Sequence, residues 1–125
     1  MRLLLIAVAG GLGSVARYAL GVWVQRLSSS AFPIGTVLVN VLGCLLIGFL
    51  ATAFSGRVLV MREEFRIALT VGFLGGFTTF SAFTMETAAL MNEGHGFRAA
   101  INVLLSISLG LLAVWSGARI ADGLS

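Results

Sequence analysis

Charge is what this sequence has least of. Asp, Glu, Lys and Arg make up 10% of its 125 residues, while 58% are hydrophobic and the mean hydropathy is +1.05. A soluble domain carries about a quarter charged residues. So few ionic side chains cannot assemble a water-facing surface, and the composition is that of an integral membrane protein. Lysine is absent: all eight basic residues are arginine, against five acids, leaving +3. In a soluble chain that excess would suggest nucleic acid. Here the arginines mostly flank apolar runs and no basic patch is interleaved with aromatics. They read as interfacial anchors, and nucleic acid is not an expected partner. The single cysteine, Cys44, excludes an intrachain disulfide and reads as a small packing residue. The single histidine, His95, in a glycine-rich turn near Glu93, reads as solvated surface. With no second His or Cys near it, a transition-metal site has nothing to build on. Nucleophile–base pairs and phosphate-binding loops are also lacking, so an enzyme is not expected.

What the chain does have is long apolar runs. A bilayer core is crossed by about 20 apolar helical residues. Residues 3–25 qualify with one internal charge, Arg17. Residues 34–54 are uncharged, 67–91 carry only Glu86, and 99–118 are uncharged again. The opening MRLLLIAVAGGLGSVAR could pass for a signal peptide. Its removal would leave a chain still too apolar to be secreted, so it reads as the first membrane helix. The connections LSSSAFP, SGRVLVMREE and NEGHGF are short, so residues 1–125 read as one domain of four membrane helices.

Each helix carries a small or polar stripe at helical spacing. In the first it is Gly10, Gly13, Ser14, Arg17 and Gly21; in the second, Thr36, Asn40, Gly43 and Cys44; in the fourth, Ala99, Asn102, Ser106, Gly110, Ala113 and Gly117. Small residues let backbones approach where lipid supplies no hydrophobic drive for association, so tight packing accounts for most of these positions. It does not account for Arg17 or Asn40, which cost free energy in hydrocarbon and face protein or water. Arg17 has a structural or vestibule role, or else snorkels to the interface.

The third helix differs. Its run TVGFLGGFTTFSAFTMET places Gly72, Gly75 and Gly76 ahead of Thr78, Thr79, Ser81 and Thr84. Glycine in a helix interior costs up to about 1 kcal/mol relative to alanine, and a Gly-Gly pair followed by Thr-Thr reads as a break. Non-helical backbone inside a membrane persists only where protein or a polar cavity satisfies it, and such breaks can hold ions. Beyond the break, Phe80, Phe83, Thr84 and Thr87 are expected on one face, alternating rings with hydroxyls.

The run GFLGGFTTFSAF closely resembles the signature of the small fluoride channels of the Fluc/CrcB family. GGLGSVARY at 10–18, PIGTVLVNVLG at 33–43 and NEG at 92–94 extend the resemblance over the whole chain. The resemblance implies a dual-topology antiparallel homodimer in the cell's inner membrane, exporting fluoride passively. It implies a structural sodium ion where two third-helix breaks meet, held by the backbone carbonyls of Gly75 and Thr78. By the same resemblance, two fluoride pathways would be lined by Phe80, Phe83 and Asn40, with Ser81, Thr84 and Glu86 as further contacts. Asn102, Ser106 and Ser108 compete for the family's polar track on the fourth helix, and Ser106, which shares the small-residue face as Ser108 does not, is favoured. Glu86 reads equally as an interfacial carboxylate or a protonated pore contact.

The physics suits that anion. Asn and Ser/Thr side chains are donors that can replace its water, and aromatic ring edges carry partial positive charge. Conduction also requires exit, which a cation lining the path would hinder. A small multidrug exporter also has four helices, but its proton coupling requires an acid in the first helix, and residues 3–25 contain none. A structural subunit of a larger complex would explain the small-residue stripes but not the break. With both termini on one side, Arg2, Arg57, Arg62, Arg66 and Arg119 share that side against Arg26 and Arg98. That bias favours termini inside, whereas the resemblance implies both orientations.

Overall fold

The computed structural model describes residues 1–56 and 58–125, and all of its regular structure is helical. Arg57, one of the arginines in the sidedness expectation, lies outside the described residues. Helix α1 spans Arg2–Ser28 and α2 spans Ile34–Ser55. The third crossing, Glu63–Asn92, is composite. It begins as α3 (Glu63–Ile67), widens into a π-helical stretch (Ala68–Phe73), continues as α4 (Leu74–Phe77) and restarts as α5 (Phe80–Asn92). Helix α6 spans Gly96–Asp122. Four crossings are therefore long and apolar enough for a membrane. Each helix outruns its apolar stretch because its polar ends continue the same hydrogen-bonded ladder into the interface. At 1.5 Å per residue, 27 residues reach about 40 Å, beyond a hydrocarbon core of about 30 Å.

The connections are held tightly. Ser29, at φ 48°, ends α1 in the left-handed region. Gln25 then ties the turn to α2: its Nε2 donates to the carbonyls of Ser30 (2.7 Å) and Phe32 (3.0 Å), and its Oε1 accepts from the Gly35 N–H (3.1 Å). That last bond satisfies one of the donors a helix start leaves open. Between α5 and α6 the chain reverses at Gly94, φ 80°, a conformation glycine adopts without strain.

Packing follows the small-residue stripes. A Cβ at Gly13 would strike the Phe73 carbonyl, and one at Gly76 would strike the Gly10 carbonyl. A Cβ at Gly72 would lie 2.9 Å from the Ile6 carbonyl oxygen. So α1 lies directly on the first half of the third crossing. The two contact sets rise together in number, so these crossings run parallel. On the other side, Gly110 meets Cys44, Gly48 meets Val114 and Gly117 meets Leu45, so α2 and α6 also pack closely. Alternating crossings of this kind bring both chain ends to one side, where Arg2 pairs with Glu63 at 3.7 Å. The apolar exterior, including Leu12, Trp23, Leu104, Leu111 and Trp115, is left for lipid.

The interruption falls within the expected Gly-Gly…Thr-Thr stretch, at its threonines rather than its glycines. Gly72, Gly75 and Gly76 remain helical, and the extended residues are Thr78 (φ −84°, ψ 156°) and Thr79 (φ −150°, ψ 115°). The reason is packing: Gly72 and Gly76 are needed where α1 touches the third crossing, and their neighbours keep them helical. Intrinsic propensity yields to that contact.

Candidate functional site at the interrupted third crossing

Every polar backbone group freed at Thr78–Thr79 needs a partner, and the neighbouring helices supply several. Asn40 of α2 meets Thr79 edge to edge. Its Nδ2 donates to the Thr79 carbonyl (2.9 Å), and its Oδ1 accepts from the Thr79 N–H (2.8 Å). This fixes the amide orientation and leaves one Nδ2 proton uncommitted. Arg17 of α1 points inward rather than snorkelling outward: its Nε donates to the Gly76 carbonyl at 3.1 Å, and Ser14 lies at the same carbonyl at 3.5 Å. A cation at the C-terminal end of α4 also meets the negative end of that helix. Thr79 caps α5, its hydroxyl oxygen accepting from the Ala82 N–H at 3.2 Å.

Gly75 and Thr78 are among the carbonyls that lose their helical partners, as Phe77 and the Arg17-capped Gly76 also do. The Thr79 N–H would have served Gly75 and the Ala82 N–H would have served Thr78, but these donors go to Asn40 Oδ1 and Thr79 Oγ1. Gly75 is also exposed, with nothing within 4 Å of where a Cβ would stand.

A cavity flanks Thr79 on each side. One, of about 280 Å³, is lined by Arg17, Gln25, Thr36, Thr79 and Glu86 among others. The other, of about 360 Å³, opens outward over Asn40, Gly75, Thr78 and Phe80. Phe80 is 77% exposed, and its ring centroid is 5.7 Å from that of Phe83, with the rings tilted by 48°. The expected single face of rings and hydroxyls divides. Phe80, Ser81 and Thr84 are exposed on α5, whereas Phe83 and Thr87 turn toward the other helices. Thr84 directs its hydroxyl at the carbonyls of Phe80 and Ser81 (3.1 and 3.0 Å). Ser81 shares a proton with Thr79 across 3.3 Å.

Deeper between the helices, Thr36 donates to Glu86 Oε1 at 2.7 Å. Thr87 donates to the Phe83 carbonyl at 2.7 Å, so its oxygen accepts from Asn102 Nδ2 at 2.9 Å. That relay directs Asn102 Oδ1 elsewhere, in a side chain with no exposed surface. Asn102 Oδ1, Ser106 Oγ and Glu86 Oε2 are buried without hydrogen-bond partners among the described residues. Ser106 thus keeps an uncommitted hydroxyl on the packed face of α6, while Ser108 is exposed. Arg17 and Glu86 line one cavity, yet no ion pair joins them among the described residues.

The sequence placed Asn40, Thr78 and the phenylalanines around one break, and the structure brings them together. It missed the Arg17–Gly76 cap, the Thr36–Glu86 bond and the Thr87–Asn102 relay. The spacing of Thr36 and Asn40, one helical turn apart on the polar stripe of α2, was the available signal for the second.

The family described as CrcB-like protein, Camphor Resistance (CrcB), matches residues 4–118. The chain is 50% identical over 115 residues to a protein of Geobacter sulfurreducens named fluoride-specific ion channel FluC, with 92% of each chain covered. It is 50% identical over 121 residues to one of that name from Solibacter usitatus, covering 97% of this chain and 98% of the relative. A Coxiella burnetii protein of the same name is 44% identical over 120 residues, covering 96% and 97%.

Proposed function

The chain belongs to the CrcB family, and on that premise we propose that it is a fluoride-specific channel, a multi-pass protein of the bacterial inner membrane that lets fluoride leave the cell passively. The observation that carries this reading is the near-full-length identity to relatives of that name. The site's chemistry supports it. A small anion gives up strongly bound water only to directed donors, and uncommitted protons lie at Asn40 Nδ2 and Ser106 Oγ. The tilted pair Phe80 and Phe83 offers ring edges with partial positive charge. Arg17 spends only its Nε–H on the Gly76 carbonyl, so its guanidinium keeps both charge and donors at the cavity, where it can attract anions.

Two finer parts belong to the same proposal. The first is an antiparallel homodimer, in which the outward cavity over Gly75, Thr78 and Phe80 is closed by a second copy. The second is a structural sodium ion held by the carbonyls of Gly75 and Thr78. A hard monovalent cation suits backbone oxygens, and these two are deprived of their helical N–H partners. Bound there, sodium would supply a fixed positive charge between two anion paths. Asn40, Phe80 and Phe83 line the paths, with Ser81, Thr84, Glu86 and Ser106 as further contacts; Thr84 can donate to an ion only after its hydroxyl turns away from the helix carbonyls.

The test is reconstitution into liposomes loaded with fluoride or with chloride, read by ion-specific electrodes. Rapid fluoride release with chloride retained is expected. Equal release of both, or of neither, removes the reading.

A further inference from the structure

Between α2 and α3 the chain does something unexpected for a membrane-surface connection: it exposes apolar side chains. Val60 is 91% exposed, and Leu59 and Met61 are also exposed. The Leu59 N–H donates to the Ala53 carbonyl at 3.1 Å, folding the segment back on the end of α2. Leu59, Val60 and Met61 thereby form an open groove of about 350 Å³ with Phe54 and Arg66. Arg66 lies over the Phe54 ring, 5.5 Å from its centroid. Of the described arginines here, Arg2 pairs with Glu63 and Arg62 with Glu64. Arg66 has no carboxylate within ion-pair distance among the described residues.

We infer that this groove binds one anionic phospholipid from the surrounding leaflet, its phosphate on the Arg66 guanidinium and its glycerol and first methylenes along Leu59, Val60 and Met61. Position supports this occupant. Phe54 ends an apolar crossing and Glu63 starts the next, so the groove lies at the depth of lipid headgroups. At that depth the exposed Val60 leaves water for the acyl boundary, as interfacial apolar residues do. Arginine suits a phosphate because its fork can donate two parallel bonds, and the Phe54 ring holds the guanidinium in place beforehand. The groove offers no carboxylate to a choline or ethanolamine ammonium, and its one aromatic face is taken by Arg66. An anionic headgroup is therefore preferred over a zwitterionic one.

Native mass spectrometry of the full chain, offered equal amounts of phosphatidylglycerol and phosphatidylcholine with the same acyl chains, tests this. The unaltered protein should retain phosphatidylglycerol over phosphatidylcholine by about fivefold, because both lipids give Arg66 a phosphate but only phosphatidylcholine sets a second cation, its choline, beside the guanidinium. Arg66→Gln should bring the two lipids close to parity, and Val60→Ser should weaken retention of phosphatidylglycerol. Arg98→Gln, at the opposite end of the molecule, should leave the preference intact. Millimolar inorganic phosphate should not displace the lipid, because it lacks the apolar part. If Arg66→Gln disturbs helicity, Phe54→Leu, which removes the ring beneath the guanidinium, takes its place and should narrow the preference without abolishing it. Equal retention of both lipids by the unaltered protein, an effect of Arg98→Gln matching that of Arg66→Gln, or displacement by inorganic phosphate overturns the assignment. So does a change in subunit number with Arg66→Gln, which would identify the groove as a contact between copies.

Discussion

Asn40 does two things with one carboxamide. It closes the backbone gap at Thr79, and it keeps one Nδ2 proton that the proposed anion path would use. Asn40→Asp keeps the acceptor for the Thr79 N–H but sets an oxygen against the Thr79 carbonyl and adds negative charge. Fluoride flux in liposomes should fall at least about tenfold, and thermal melting should drop as well, because an unsatisfied buried carbonyl costs about 1–3 kcal/mol. Phe80→Ile and Phe83→Ile should also cut flux about tenfold, since the ring edge disappears while most of the bulk stays. Phe80 is exposed on the single chain, so its replacement should leave the helicity of each subunit unchanged. Full flux in both phenylalanine variants would exclude these rings from the path.

Among the elements, the third crossing depends on α1. Gly13 leaves room for the Phe73 carbonyl, which a Cβ there would strike, and Arg17 caps the broken end at Gly76. Gly13→Val should push the two helices apart at a cost of about 3 kcal/mol or more. In detergent this appears as a lower melting temperature and a smaller folded fraction. Arg17→Leu should be milder, about 2 kcal/mol, for one charge-assisted hydrogen bond to a carbonyl left without its cap. Melting of Arg17→Leu equal to that of the parent would show that the cap contributes nothing.

For the whole molecule, the informative residue is Gly75. Within one chain a side chain there meets nothing, so Gly75→Val costs a monomer little. In the proposed dimer the same change crowds the meeting of two breaks. Loss of the dimer on size-exclusion chromatography, with helicity retained, is the expected result; an intact dimer conducting fluoride normally would remove Gly75 from the interface. Replacing sodium by a bulky organic cation should likewise weaken the dimer and reduce flux. Orientation is tested separately. Arg2, Arg62, Arg66 and Arg119 lie on the termini side and Arg26 and Arg98 opposite, yet a reporter on the C-terminus should give signal from both sides of the membrane. Signal from the cytoplasm alone would make an inverted dimer of this chain untenable.

The sequence by itself determined the membrane class, the four crossings and the presence of a break, because these depend on composition and run length, which are local properties. It also brought Asn40 and the Phe80–Phe83 pair into one neighbourhood, through the resemblance rather than through periodicity. Only the tertiary structure decided where the break falls. Gly72 and Gly76 look like helix breakers in isolation, but they stay helical where α1 approaches closely, and within the Gly-Gly…Thr-Thr stretch the extended residues are Thr78 and Thr79. The partners of Arg17, Glu86 and Asn102 were decided the same way. Each bond joins residues 15 to 59 positions apart, and such pairs are set by how the helices pack against one another, which no stretch of the chain specifies alone.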